Sequence, residues 1–317
     1  MINRTDRIVV TGGTGFLGQS VIKELHNSGF KNTVALRGSY HHDLTKQEDV
    51  SKIFDMFSPH SIIHLAARVG GIGANKENPG RFIYENMAMG LNLIEESRVR
   101  KIKKFIMVGT VCSYPKFTPV PFKEEDLWKG YPEETNAPYG IAKKALMQMV
   151  ESYHEQYGFQ GVNLIPVNMY GPRDNFNPAS SHVIPALILK IHEAMINDNH
   201  EDLEIWGTGN ASREFLYVDD CAVAIRKALM RSNDPEPINI GTGEEISIKD
   251  LVTKIAEKMG YEGQLIFNPD YPDGQPRRCL DTSRAKERID FKASVGFDEG
   301  LDRTIKWFKN NVRHINF

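Results

Sequence analysis

A β-branched run, Arg7-Ile8-Val9-Val10, opens directly into Thr11-Gly12-Gly13-Thr14-Gly15-Phe16-Leu17-Gly18. Glycines at this spacing between a strand and a helix let the backbone turn tightly. They also leave free amides at the helix amino terminus, where the helix dipole meets an anion. The turn therefore predicts a pyrophosphate-binding βα unit and a bound dinucleotide. A strand-to-helix turn that merely favours glycine is the plainer alternative.

The rest of the chain has to supply a sheet for that unit. Thr33-Val34-Ala35-Leu36, Ser61-Ile62-Ile63-His64-Leu65 and Lys104-Phe105-Ile106-Met107-Val108 read as buried parallel strands, and Phe16 to Ser28, Lys46 to Phe57 and Phe82 to Val99 carry apolar residues at helical spacing. Alternation of strand and helix predicts an α/β fold with a doubly wound parallel sheet of Rossmann type. Gly161 to Val167 and Ile238-Asn239-Ile240 extend the pattern, so the dinucleotide-binding domain is expected over 1–171 and 217–240, with a smaller α/β substrate domain over 172–216 and 241–317. The asparagine, serine and proline cluster after Tyr170-Gly171-Pro172 reads as a crossing loop. Ser247 to Met259 is expected as a capped helix, and a further helix is expected near Gly300.

Composition narrows the function. The chain has 317 residues, 40% hydrophobic and 25% charged, an ordinary globular balance. Its 39 basic and 41 acidic residues give a net charge of -2, which offers no field to attract a nucleic acid. Cys112, Cys221 and Cys279 form no CxxC pair and suit neither a disulfide framework nor a cysteine-based zinc site, so a reducing, cytoplasmic setting is expected. No apolar stretch has bilayer-spanning length, and the amino terminus lacks the apolar core of a signal peptide. The adjacent acids Asp219 and Asp220 read as a helix start and not as metal ligands.

Which dinucleotide is bound depends on the end of the second strand, where an acid accepts from a ribose hydroxyl and an arginine pairs a 2′-phosphate. Arg37 follows Leu36 directly, and the next acid is Asp43, placed beside the adenine edge. NADPH is the expected cofactor. Pro138-Tyr139-Gly140-Ile141-Ala142-Lys143 then puts Tyr139 and Lys143 on one helical face. A phenol with an ordinary pKa of about 10 is a poor acid or base at neutral pH, and a neighbouring cation lowers that value. Tyr139 could thus pass a proton to a carbonyl oxygen, with Thr110, just past the fourth strand, donating to the same oxygen. A hydroxyl satisfying local backbone is the alternative for Thr110.

Together the glycine turn, Gly109-Thr110 and the Tyr139/Lys143 pair resemble the extended short-chain dehydrogenase/reductase superfamily. His64 to Ile72, Cys112-Ser113-Tyr114-Pro115-Lys116, Tyr170 to Phe176, Ser181-His182-Val183-Ile184-Pro185 and Arg213 to Asp220 narrow the resemblance to its GDP-L-fucose synthase branch, over nearly the whole chain. That resemblance implies two reactions in one site. The residues here Cys112 and His182 would exchange protons at C3 and C5 of a GDP-4-keto-6-deoxy sugar. NADPH-dependent reduction at C4 would follow, with Tyr139 as proton donor and Lys143 holding the nicotinamide ribose. Thiols and imidazoles, with reference pKa values of about 8.5 and 6.5, suit proton exchange near neutrality.

The resemblance also assigns Gly12, Thr14, Gly15, Phe16, Leu17, Gly18, Arg37, Asp43, Leu44, Leu65, Ala66, Ala67 and His182 to the cofactor. It assigns Asn168, Val183, Lys190, Trp206, Arg213 and Asp281 to the substrate, and it implies a homodimer through Asn86 to Val99 and Tyr139 to Gln156. Thr110-Val111 stands where the branch usually has serines, and Ser113 where it has an apolar residue. A narrowed pocket and an altered substrate surface are the expected consequences. Relatives that only reduce, or that act on GDP-heptoses, leave C4 reduction without epimerisation as the alternative. A UDP-sugar 4-epimerase and a non-catalytic NADP(H)-sensing scaffold are weaker readings.

Overall fold

The computed structural model describes residues 2–196, 202–271 and 274–314. In chain order its strands are β1 (Ile8–Thr11), β2 (Thr33–Ala35), β3 (Ser61–His64), β4 (Lys104–Val108), β5 (Gly161–Pro166), β6 (Asn168–Tyr170), β7 (Leu203–Trp206), β8 (Ser212–Tyr217), β9 (Ile238–Ile240), β10 (Glu245–Ser247) and β11 (Leu265–Asn268). The helices are α1 (Phe16–Asn27), α2 (Gln47–Phe57), α3 (Ile72–Glu77), α4 (Pro79–Val99), α5 (Ala137–Tyr157), α6 (Val183–Ile196), α7 (Val218–Arg231), α8 (Ile248–Met259), α9 (Ser283–Ile289) and α10 (Phe297–Asn311).

Six strands form one parallel sheet in the order β2-β1-β3-β4-β5-β9. Every residue of β1, β3, β4, β5 and β9 is buried, as expected of strands covered on both faces. After β2 the chain crosses back over β1 to β3, which leaves a crevice at the carboxyl ends of β1 and β3, the place where such sheets bind ligands. Helices α1 and α7 pack together, as do α4 and α5.

A second group of strands lies outside this sheet. β8 pairs antiparallel with β10 and parallel with β6, and β7 pairs parallel with β11. Around them a separate core collects Ile188, Leu203, Phe215, Leu251, Ile255, Leu301 and Phe308. Each such aliphatic or aromatic side chain contributes roughly 1.5–3 kcal/mol on burial. The sequence signals for this part were short. Asp219 and Asp220 open α7 as expected, while Ser247 caps α8 by accepting from the Asp250 amide at 3.0 Å.

One boundary differs from the expected division. Leu280, Ala285, Ile289 and Phe291 belong to the first core, with α9 packed on α7 and β9, so the chain returns to the dinucleotide-binding part after 241. Apolar periodicity over a seven-residue helix is too short to reveal which core it joins.

Candidate active site

The glycine turn lies in the crevice. Gly12 has φ 66°, and a Cβ there would stand 2.9 Å from the Ala66 amide nitrogen, at the end of β3. A Cβ on Gly18 would meet the Gly12 carbonyl oxygen at 2.1 Å. Only glycine permits this closeness. Helix α1 starts at Phe16 with no side-chain cap and no acid in its first turn, so its leading amides are available to an anion.

Thr11 fixes the far wall. Its hydroxyl accepts from the amides of Leu65 and Ala66, both at 3.2 Å, and lies 2.9 Å from His64 Nδ1. With two donors already aimed at the oxygen, the hydroxyl proton is directed to that nitrogen. Burial holds the His64 pKa well below its ordinary value, so the imidazole serves as a neutral acceptor in the sheet. Sequence reasoning missed this role for Thr11 and His64, because a buried histidine inside an apolar strand gives no pattern of its own.

Arg37 is exposed just past β2. Asp43 accepts from the Thr45 amide at 3.1 Å and from the Thr45 hydroxyl at 2.6 Å, and the Thr45 hydroxyl bond leads the causes that hold its pKa low. Leu44 is buried beside it, its carbonyl accepting from Asn92 Nδ2 at 3.0 Å. Thr14 and Gly15 stay open to solvent at the turn, whereas Leu17 packs into the core.

Beyond β4 the chain makes a short 3-10 turn, Val111–Ser113, capped by the Thr110 hydroxyl accepting from the Cys112 amide at 3.2 Å. This turn is pressed against α5. A Cβ on Gly140 would stand 2.3 Å from the Cys112 carbonyl oxygen, and Ser113 Oγ donates to the Gly140 carbonyl at 3.0 Å. Gly140 was not singled out in the sequence, yet its missing side chain brings Cys112 beside Tyr139. Ser113 has no exposed surface, so it joins the turn to α5 and does not alter the substrate surface, contrary to expectation.

Tyr139, Thr110 and Cys112 thus converge. The Tyr139 phenol has its pKa raised, first by burial and then by negative charge at Cys112, while a hydrogen bond from Thr110 favours the ionised form. Lys143 corrects a second expectation. It is 2% exposed, its ammonium donates to the Val108 carbonyl at 3.1 Å, and burial pushes its pKa down to about 8. Desolvation outweighs any pull of this cation on the phenol, so Tyr139 is a proton holder.

His182 precedes α6, its carbonyl accepting from the Ala186 amide at 3.0 Å. Its side chain keeps surface toward solvent, but the protein packed around it holds the imidazole pKa below the usual value. No hydrogen bond joins it to Cys112 or Tyr139 among the described residues. The loop before it docks on the crevice, Gly71 donating to the Ser180 carbonyl at 3.1 Å.

Of the proposed substrate residues, Val183 packs against the second core. Asn168 begins β6, Val183 begins α6, and the Lys190 ammonium donates to the Glu204 carbonyl. Trp206 is 65% exposed and stacks on Tyr271 at 4.6 Å between ring centroids. Arg213 donates to the Ser212 carbonyl at 2.7 Å, with Gly274 close by. The Asp281 carboxylate accepts from the Ser283 amide at 2.9 Å and from the Ser283 hydroxyl, at the start of α9, where Lys123 and Arg284 are the nearby cations. Among the described residues no group of three or more His, Cys, Asp or Glu could hold a metal, and no helix is long and apolar enough to cross a membrane.

A glycine turn at the switch point of a parallel sheet, in one chain with a tyrosine and lysine one helical turn apart, is the arrangement of a dinucleotide-dependent enzyme. Residues 8–241 match the model of the NAD dependent epimerase/dehydratase family, and the chain belongs to that family. It is 40% identical over 306 residues to the GDP-L-fucose synthase of Sinorhizobium fredii, covering 96% of each chain. Among solved structures it is similar to a GDP-6-OMe-4-keto-L-xylo-heptose reductase from C. jejuni, with TM-score 0.89 and 30% identity over 98% of this chain and 99% of that one. A GDP-L-fucose synthetase from Naegleria fowleri bound to NADP is similar at TM-score 0.89 and 28% identity, covering 99% and 97%.

Proposed function

We propose that the chain catalyses NADPH-dependent 3,5-epimerisation and C4-keto reduction of a GDP-4-keto-6-deoxy-hexose. The observation that carries this reading is the convergence of Cys112, Thr110 and Tyr139 at the end of β4, a thiol for carbon acids next to a phenol for a ketone oxygen. The glycine cradle at Gly12 and Gly18 and the uncapped start of α1 fit a pyrophosphate, and Arg37 fits the added phosphate of NADPH. When bound, that cofactor supplies hydride to C4.

The chain's own residues do the rest. The C4 ketone acidifies the protons at C3 and C5, because the carbanion left behind is delocalised into an enolate. Cys112 and His182 take and return those protons in this reading. Thr110 donates to the ketone oxygen, and Tyr139 gives it a proton as the new C–H bond forms at C4. Arg213, as the diphosphate partner, and Trp206, as a flat apolar face for the base, place the sugar ring. Lys143 holds the nicotinamide ribose.

C4 reduction without epimerisation, on a related GDP-4-keto sugar such as a heptose, is favoured by one comparison, the C. jejuni heptose reductase of nearly the same shape. Incubation with NADPH and GDP-4-keto-6-deoxy-mannose in deuterated water separates the readings. Oxidation of NADPH with deuterium at C3 and C5 of the product is expected. Oxidation without deuterium leaves the reductase alone, and absence of oxidation removes both for this sugar. Cys112→Ser is expected to lose exchange more than reduction. Cytoplasmic location and a homodimer complete the proposal, the exposed Tyr84, Leu91 and Val99 of α4 supporting a covered helix face.

A further inference from the structure

Sequence neighbours Arg277 and Arg278 sit in very different surroundings. Arg277 is exposed and paired with Glu245. Arg278 is half-buried, and no carboxylate lies within ion-pair distance of it among the described residues. Its Nε and one terminal nitrogen donate to Gln275 Oε1 at 3.2 and 3.0 Å, and the remaining terminal nitrogen lies 3.9 Å from Cys112 Sγ. Gln275 is buried and anchored in turn, its Nε2 donating to the Lys116 carbonyl at 2.8 Å.

The segment that carries Arg278 is clamped on both sides. Ser212 and Glu214 of β8 donate to the carbonyls of Pro276 and Arg278 at 2.9 and 3.1 Å. Phe122 donates to the Cys279 carbonyl at 2.8 Å, and the Leu280 amide donates to the buried Glu214 carboxylate at 2.7 Å. A guanidinium without a counter-ion among the described residues is therefore aimed by a built scaffold at Cys112, the thiol of the site.

We propose that Arg278 is a positioning residue for Cys112, the charge partner of its thiolate during proton exchange. The inference deepens the epimerase reading and rests on Cys112 as its acid–base group. In that step the thiolate takes the proton from C3 or C5, the thiol forms, and the electron pair of the broken C–H bond moves into the enolate. A fixed cation favours the anionic sulfur before the transfer and gives way to the enolate afterwards. The ionisable groups with an interaction to the sulfur, among the described residues, are Tyr139 from α5 and Arg278 from this segment. Tyr139 is a phenol that burial first, and negative charge at the sulfur second, keep protonated for the reduction. Arg278 is the compensating charge.

Alkylation by iodoacetamide reads the thiolate directly: sulfur attacks the methylene carbon and iodide leaves. Cys221 and Cys279 are buried, and burial pushes both pKa values up to about 12, so peptide mass spectrometry follows Cys112 against a quiet background. Arg278→Met is expected to slow Cys112 alkylation at neutral pH about tenfold and to move its pH profile upward. Arg278→Lys, which keeps the charge, is expected to retain most of the rate and controls for folding of the segment. The same Met variant is expected to lose deuterium incorporation out of proportion to NADPH oxidation.

An unchanged alkylation rate in Arg278→Met overturns the proposal. If KM for the GDP-sugar rises at the same time, Arg278 is a diphosphate ligand instead. Wild-type protein that incorporates no deuterium while its alkylation still depends on Arg278 defeats the epimerase reading and leaves the Arg278–Cys112 pairing standing.

Discussion

Lys143 shows how a working site strains its fold. Its pKa falls from 10.5 to about 8 because the ammonium is desolvated. Between those two values the unfolded chain holds the proton and the folded chain releases it, so this group makes stability rise with pH across that window. Below about pH 8 the burial penalty is present in full, roughly 3 kcal/mol at about 1.4 kcal/mol per pKa unit. Lys143→Met is accordingly expected to gain roughly 1–3 kcal/mol in urea unfolding at pH 7, with the gain closing toward pH 10 and turnover lost. A loss of stability at pH 7 would mean that the hydrogen bond to Val108 outweighs desolvation. Tyr139 is the opposite case, a phenol that burial keeps protonated. Tyr139→Phe is expected to lower kcat by about 10²–10⁴-fold while NADPH affinity, read by nucleotide fluorescence, stays the same.

At the scale of elements, the contact between the Val111–Ser113 turn and α5 decides whether two chemistries share one site. Gly140→Ala would force its new methyl into the Cys112 carbonyl, with backbone on both sides unable to swing away. A loss of about 1–3 kcal/mol in stability is expected, with proton exchange and reduction falling together, checked by thermal unfolding and by deuterium incorporation per NADPH oxidised. Wild-type activity in this variant would show that the turn can lift off α5 at no cost. This contact also marks what the sequence could tell. β1, β3 and β4 were legible from β-branched runs, and Tyr139 and Lys143 from helical spacing beside a glycine turn, because those signals are local. Gly140, Gln275 and Arg278 were not, since each matters through a neighbour more than twenty residues away that no periodicity reports.

Across the whole molecule, the two cores meet along β8. Leu216 packs into the first, Phe215 and Tyr217 into the second, and Glu214 stands fully buried where the strand begins to change sides. One carboxylate oxygen accepts from the Thr242 and Gly243 amides at 2.5 and 2.8 Å, and the other from the Leu280 amide at 2.7 Å. This single side chain therefore holds the start of the second core's return path and the segment that aims Arg278. Glu214→Gln has nearly the same shape but replaces one acceptor with a donor, which must face a buried amide N–H. Leaving such a group unpaired costs about 1–3 kcal/mol, so a drop of that size in urea unfolding is expected. Because the Leu280 amide is one of the two places the new donor can fall, the segment beside it loosens, and proton exchange at the sugar is expected to slow although Glu214 touches no substrate. A variant that loses stability with exchange per turnover unchanged would show that the clamp secures the fold without aiming the guanidinium.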